Sequence, residues 1–402
     1  MQWDEDKMAL VDFAVAAYIT PFLPGGGRER TWGIVVGPPA SGKTELLRMF
    51  LDYNPEKEAA RRTVMQDDLT ENALVSGFRS EDDPAYDPSL LARLDFRRNP
   101  VGPKVLVVKE MGPILGLPRE RRSRFFNQMR KAFDGDYNHG SGSLGTTYYK
   151  LGFGFLGAAT EAVDDAKKQD QPLGERIVLC RMNQGGRDWV GRRGRIMSAL
   201  TSDPIEKELH REIIRSTFVR EADTIIRKLA ETPNFKVDQP HELVLRLAAL
   251  ADLITIIRTV PVSDQTHASA AEEGTRLSLQ LQTWADALAT FDGRTAWDEA
   301  DYSLMLRIAR DTLPPDFLRV LAVIWGGSPT EAVKSKGADR IRLLSQSGDS
   351  LNRQLTQWTL SGLLWGAGGS AYAMTSEIIG MITETKFFDG LDLSKLLGYN
   401  RA

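Results

Sequence analysis

Cysteine is almost absent from this chain. One stands at position 180 among 402 residues, which excludes a disulfide framework and suits a reducing compartment. No sign of charge predominates: 51 Lys and Arg stand against 54 Asp and Glu, a net charge of −3. A general basic field of the kind that announces nucleic acid is excluded, and any such surface has to be local. Long hydrophobic runs are missing as well. Residues 8–23 (MALVDFAVAAYITPFL) are apolar but contain Asp12 and fall short of the roughly 20 residues that a spanning helix needs. They read as a helix packed on a globular domain. The opening MQWDEDK is acidic, unlike a secretion signal, so a cytoplasmic protein with no membrane partner is expected. There are no repeats and no long low-complexity tract.

What is present begins with residues 31–50, TWGIVVGPPASGKTELLRMF. Trp32 to Val36 is short, β-branched and bounded by glycine, as a buried strand is. Lys43 to Phe50 reads as a helix with Leu46, Leu47 and Phe50 on one side. Between them lies Gly37-Pro38-Pro39-Ala40-Ser41-Gly42-Lys43-Thr44, the full G-x-x-x-x-G-K-[ST] pattern in its strand–loop–helix context. Backbone N–H groups can wrap a phosphate chain only where no Cβ obstructs them, hence the two glycines. The helix N-terminus directs free donors and a positive dipole end at the anion. Lys43 is expected to reach the β- and γ-phosphates of ATP, and the Thr44 hydroxyl to bind Mg²⁺.

Around this loop, short apolar runs alternate with helical patterns. Candidate strands are 32–36, 63–66, 104–108, 152–158 and 177–181, which predicts an α/β core with a parallel five-stranded sheet. Residues 184–200, rich in Gly and Arg, read as a linker. From 203 to about 313 the pattern is helical, in segments 206–230, 241–258 and 275–291, the first with Ile213, Ile214, Phe218, Ile225 and Leu229 near helical spacing. After Pro314-Pro315, short helices at 316–325, 340–346 and 349–361 precede Gly366-Ala-Gly-Gly369, an order that suggests a winged helix-turn-helix. The expected division is an N-terminal helical extension 1–30, an ATPase core 31–200, an α-helical lid 201–313 and a winged-helix domain 314–402.

A nucleotide enzyme also needs an acid. Glu110 follows four apolar residues in KVLVVKEMG, where its carboxylate can polarise an attacking water; the alternative is a surface Glu at a strand end. Beside it stands Lys109, where ATPases of this class carry an acid that helps hold Mg²⁺. Slow hydrolysis, substitution by Asp67 or Asp68, and a contact of Lys109 with phosphate or a partner are the open readings. Thr160, at the tip of the strand expected between the loop strand and the acid strand, either senses the γ-phosphate or caps the next helix. Arg176 precedes an apolar strand. It either projects into a neighbouring subunit's site, where it stabilises transition-state charge, or forms a salt bridge to Glu175 or Glu161.

The order of Gly37–Thr44, Val105–Glu110, Thr160 and Gly174-Glu175-Arg176-Ile177-Val178 resembles the AAA+ ATPases. Within them it is most similar to the minichromosome-maintenance branch and its relatives on bacterial phages and mobile elements. The resemblance implies an ATP-binding homo-oligomeric ring, expected as a hexamer, with Arg176 as the finger and a helical lid bearing a second sensing arginine. Residues 274–313 are similar to that lid and put Arg276 in that place, acting from either side. Two departures stand out. Lys109 replaces the family's metal-side Asp, and only about thirty residues precede the core, where chromosomal helicases carry a DNA-encircling domain.

Nucleic acid has a local candidate. Between Arg119 and Lys131 lie six basic residues and one acid, with Phe125, Phe126, Met129 and Phe133 as the apolar stripe of the same helix. Arg119, Arg122 and Lys131 on the polar face could bind phosphates. NHGSGSLG at 138–145 reads as a hairpin tip and Thr146–Tyr149 as the returning strand. The resemblance implies that such a hairpin grips DNA, through His139 and Lys150, with Tyr148 or Tyr149 stacking on bases. A solvated charged face or a subunit interface has the same sequence appearance. The C-terminal block, with Arg353 the only cation in 349–362, reads more as a protein-contact module than as a DNA reader.

The leading expectation is a ring ATPase that couples hydrolysis to DNA translocation, unwinding or remodelling for a phage or mobile element. One rival is an ATP-dependent oligomeric switch with slow hydrolysis, such as a helicase loader or an antiviral ATPase. The other is an ATP-modulated winged-helix regulator.

Overall fold

A computed structural model describes residues 5–24, 30–51, 62–75, 89–100, 104–141, 145–164, 176–182, 203–258, 274–326, 348–366 and 372–391. The expected linker 184–200, helix 340–346 and turn residues 367–369 lie outside them. Two compact units emerge, one of residues 1–238 and 282–304, the other of 239–281 and 305–402. That partition runs through the segment read as a separate lid.

In the first unit, β1 (Trp32–Val36), β2 (Thr63–Gln66), β3 (Val105–Val108), β6 (Gly154–Ala159) and β7 (Ile177–Arg181) form one parallel sheet in the order β2-β3-β6-β1-β7. All five coincide within two residues with the expected strands. Strands β1, β3 and β6 are buried along their whole length, which is why they read as continuous apolar runs rather than as alternating ones. The strand ending at Thr160 lies between the loop strand and the acid strand, as expected.

Helix α1 (Glu5–Ile19) covers one face of the sheet, and its residues 13–19 are all buried. Gly33 permits this approach: a Cβ there would stand 2.5 Å from Phe13 Cζ and 3.0 Å from Trp284, whose ring stacks on Phe13 at 4.3 Å. The opposite face carries α3 (Leu90–Leu94), α4 (Gly112–Leu115) and α5 (Arg119–Asp134). Phe125, Phe126, Met129 and Phe133 form the buried stripe of α5, as its spacing predicts. Phe133 meets Trp32 edge-on at 5.1 Å, a contact worth about 1 kcal/mol beyond the area it buries. After α5, β4 (Asp136–Ser141) and β5 (Gly145–Lys150) pair as an antiparallel hairpin outside the main sheet.

Helix α6 (Pro204–Glu231) matches the segment expected at 206–230, but not its buried stripe. Phe218, Ala222 and Leu229 are buried, whereas Ile213 and Ile214 are about half exposed (51% and 49%). Apolar burial anchors the C-terminal half of the helix, and in the N-terminal half Arg211 pairs with Glu45 of the helix at Lys43–Arg48 at 2.7 Å.

Asp12 shows what packing α1 costs. Burial, then the nearby carboxylates of Asp292 and Asp301, push its pKa from the usual 3.8 to about 6. Arg294 binds Asp292 and Asp301 with both of its terminal nitrogens. Because the folded value lies above the unfolded one, protonation of Asp12 favours the fold. That contribution is complete below about pH 4 and disappears as pH rises through about 6. Asp12→Asn is expected to raise the melting temperature at about pH 7.5, with the gain shrinking toward zero near pH 4; thermal melts across that range check it.

The second unit holds α7 (His241–Arg258), parts of α8 (Thr275–Phe291) and α9 (Glu299–Thr312), α10 (Pro315–Gly326), α11 (Gly348–Leu360), the antiparallel pair β8 (Leu364–Gly366) and β9 (Tyr372–Met374), and α12 (Ser376–Glu384). Trp358 anchors it, fully buried against Phe317 and donating Nε1–H to Ile257 O at 3.0 Å. Among the described residues no helix is long and apolar enough to cross a membrane.

Candidate nucleotide site

The parallel sheet brings the C-terminal ends of its strands to one edge, the place where open α/β sheets bind ligands. Val36 is level with Ala159 on one side and Arg181 on the other. Gly37 N–H donates to Ala159 O at 3.1 Å, and the chain then turns through 38–42 into α2 (Lys43–Arg48). This helix is shorter than the expected 43–50, because Met49 and Phe50 close with tighter three-residue bonds. Gly42 occupies the left-handed region at φ 96°, and Ala40 has φ 59°, uncommon for a residue with a Cβ. No side chain caps α2, so its first-turn donors are left for the solvent side of the loop. Pro39, Ala40 and Thr44 are exposed, while Pro38, Ser41 and Lys43 are partly covered.

Lys43 Nζ donates to Gly37 O at 2.7 Å, Pro38 O at 2.6 Å and Ser41 Oγ at 3.3 Å, which seats the ammonium in the hollow of the loop. Burial lowers its pKa, and the charge of Glu110 acts in the opposite direction. Glu110 is thus within electrostatic reach of Lys43, although one strand, β6, lies between β3 and β1. Its carboxylate is exposed at the tip of β3, held by Glu110 N–H donating to Asp67 O at 2.9 Å and Met111 N–H to Ala158 O at 2.8 Å. Thr160 follows β6 at the same edge. Among the described residues its hydroxyl makes no hydrogen bond, and Val163 N–H goes to the Thr160 carbonyl instead, so the capping alternative is not what the local geometry adopts.

Lys109 pairs with Asp67, its neighbour at the tip of β2. Of the two carboxylates that follow β2, Asp67 is thus paired with Lys109, and Asp68 beside it is exposed. Mg²⁺ needs oxygen ligands. The exposed Thr44 hydroxyl is one that fits an ion arriving with a nucleotide's phosphates, and Lys109 offers no lone pair.

Arg176 lies at the opposite edge, because Ile177 is level with Trp32 at the start of the strands. The length of β7, about 16 Å, separates it from its own loop. It binds Asp134, through Nε at 3.2 Å and Nη2 at 3.1 Å, with the guanidinium over the Phe133 ring. Glu175 lies outside the described residues. Arg276 stands in the first turn of α8 and belongs to the second unit.

One half-buried pair at the loop edge escaped sequence reasoning. Arg181 Nη1 and Nη2 grip both oxygens of Asp164 at 2.9 and 2.6 Å, tying the tip of β7 to the turn after Thr160. A cation closing the apolar run IVLCR beside the loop strand was the available signal.

The nucleic-acid candidates divide. Arg119 and Lys131 are exposed. Arg122 is buried and donates to the carbonyls of Leu115 and Leu117, so it holds the turn between α4 and α5 and is withdrawn as a phosphate contact. Tyr149 is likewise buried, facing Tyr137, and cannot stack on a base. Tyr148 and Lys150 share the outer face of β5, both bonded to Asp136 at 2.6 Å. His139 lies in β4 opposite Thr147, its side chain outside the described set.

Neither a protein-family model nor a curated protein matches the chain.

Proposed function

We propose that the chain is an ATPase of the phosphate-loop class that works as a homo-oligomeric AAA+-like ring on DNA. The observation that carries the reading is the seating of Lys43 inside the 37–42 loop, with Glu110 in electrostatic reach, at the carboxyl edge of a parallel sheet. In this reading the loop N–H groups and Lys43 bind the β- and γ-phosphates. Glu110 polarises the attacking water and takes its proton. The Thr160 hydroxyl donates to the γ-phosphate. Thr44 is the residue that would hold a Mg²⁺ ion, which would offset negative charge on the phosphates. Arg176 cannot reach its own loop, and it supplies the remaining cation from an adjacent subunit, leaving Asp134 to do so. Arg276 belongs to the lid of this reading, and 314–402 to a winged helix that contacts a protein partner. DNA is the partner favoured by the exposed cations of α5 and the hairpin.

A second reading, an ATP-dependent switch with slow hydrolysis, is favoured by one observation, the Lys109–Asp67 pair. Steady-state ATP turnover with and without single-stranded DNA separates the two: stimulation supports the translocase, and slow, DNA-indifferent turnover supports the switch. Combining Lys109→Asp with Asp67→Asn places an oxygen ligand beside Glu110 and removes the Asp67 carboxylate that would otherwise face it. Turnover is expected to rise on the order of tenfold, in keeping with the worth of a ligand that orients a metal. An unchanged rate would show that residue 109 does not limit hydrolysis.

A further inference from the structure

Phe96 is an exposed aromatic among the described residues, 45% exposed in a turn that no motif marked. This turn follows α3 and is docked on the hairpin. Asp95 bridges to Leu151, and Phe96 N–H donates to Lys150 O at 3.2 Å. Asp95 is wholly buried; its Oδ1 accepts from Arg97 N–H at 2.9 Å, and its carboxylate lies 3.5 Å from Arg98 Nε. The turn is therefore a rigid frame rather than a loose loop. Gly152 leaves flat backbone beside the Phe96 ring, where a Cβ would stand 3.6 Å from Cδ1.

Around Phe96 the frame gathers the outer face of the hairpin. The Arg97 guanidinium lies over the Tyr148 ring at 4.6 Å, and Arg98 lies over Tyr149 at 5.1 Å. Tyr148 OH and Lys150 Nζ both bond Asp136, which fixes the ring and the ammonium side by side. Arg97, Arg98 and Lys150 keep 49%, 39% and 40% of their side chains exposed, and among the described residues that bond them Asp136 is the exposed acid. A flat exposed ring, a guanidinium plane capping a second ring and an excess of cations together match what unpaired bases and their phosphates require.

We infer that the turn Asp95–Arg98 and the base of the β4–β5 hairpin form a stacking platform for single-stranded nucleic acid. Phe96 and the Arg97–Tyr148 pair take bases, and Arg98 and Lys150 take phosphates. The contact lies at the foot of the hairpin, on residues outside the basic helix α5. Duplex is disfavoured because its bases are already stacked on one another and offer no free face to Phe96. The inference rests on the reading of DNA as the partner and is independent of the ATP site.

Fluorescence anisotropy of a labelled oligo-dT strand, titrated with the full chain at several salt concentrations, tests it. Wild type is expected to bind the strand more tightly than a duplex of equal length. Phe96→Ala is expected to weaken strand binding about tenfold with an unchanged salt slope, and Phe96→Trp to retain it. Lys150→Ala is expected to lower the slope of log K against log salt by about 0.7. ATP binding by each variant, measured in parallel, reports that the fold is intact. If wild type binds the strand and both Phe96→Ala and Lys150→Ala bind it equally well, the platform is refuted while DNA remains the partner. If wild type binds neither strand nor duplex, the DNA reading falls with it, whatever the ATP measurement gives. Equal binding of strand and duplex, insensitive to Phe96→Ala, would reduce the surface to phosphate contacts and overturn the stacking role.

Discussion

Lys43→Ala is expected to abolish measurable ATP binding, weakening it by at least on the order of a hundredfold. Two charge-assisted hydrogen bonds to phosphate are worth roughly 3–6 kcal/mol together, and alanine removes both. The same substitution deletes the bonds from Nζ to Gly37 O and Pro38 O, which brace the loop. Lys43→Arg separates the two effects. It keeps the charge, but its planar fork cannot settle on two adjacent carbonyls as an ammonium does. Binding by the Arg variant that falls between wild type and Ala fits a role in both charge and bracing. A titration in which the Ala variant binds as wild type does would remove residues 37–44 from the site. The fold itself is expected to survive, since the side chains that bury α2 are Leu46 and Leu47.

The second large effect concerns Arg176. Arg176→Ala is expected to bind ATP normally and to hydrolyse it on the order of a thousandfold more slowly, the loss typical of a finger. Its place at the far edge of the sheet demands that this effect operate between chains. Mixing Arg176→Ala with Glu110→Gln chains should then restore part of the activity, because some interfaces pair an intact Glu110 with an intact Arg176. Asp134→Asn provides the control. If Arg176 acts only through its bridge to Asp134, removing either partner should impair the protein equally, and mixing should restore nothing. If Arg176 leaves Asp134 to serve a neighbour, Asp134→Asn should hydrolyse ATP at least as fast as wild type.

The sheet was legible because β1, β3 and β6 are local apolar runs bounded by Gly or polar residues, and burial along their whole length imposes that pattern. The loop at 37–44 was legible because its whole pattern falls within eight consecutive residues. Pairings across the chain were not. Arg176 meets Asp134 from 42 residues away, and Arg181 meets Asp164 from 17 residues away, distances at which sequence spacing carries no geometric information. The hairpin hid its faces differently. In Thr146-Thr147-Tyr148-Tyr149-Lys150 polar and aromatic residues do not alternate, so the strand period alone could not say that Tyr149 turns inward and Tyr148 outward. Arg122 misled because an arginine on a basic helix looks the same whether it meets solvent or two orphan carbonyls. In α6 the apolar spacing is real, but burial begins at Phe218, where Tyr18, Phe50 and Phe291 stand against its ring, and continues at Ala222 and Leu229, so Ile213 and Ile214 before it remain about half exposed.

The central claim is that ATP is hydrolysed at Gly37–Thr44 with Glu110 as the acid. The most direct test measures ATP binding and ATP turnover side by side for the wild type and for Glu110→Gln. Both proteins are predicted to bind ATP with similar affinity, and only the wild type to turn it over, because the substitution removes a charge from the tip of β3 without touching the loop. Equal turnover by the two proteins, or no ATP binding by either, would contradict the account.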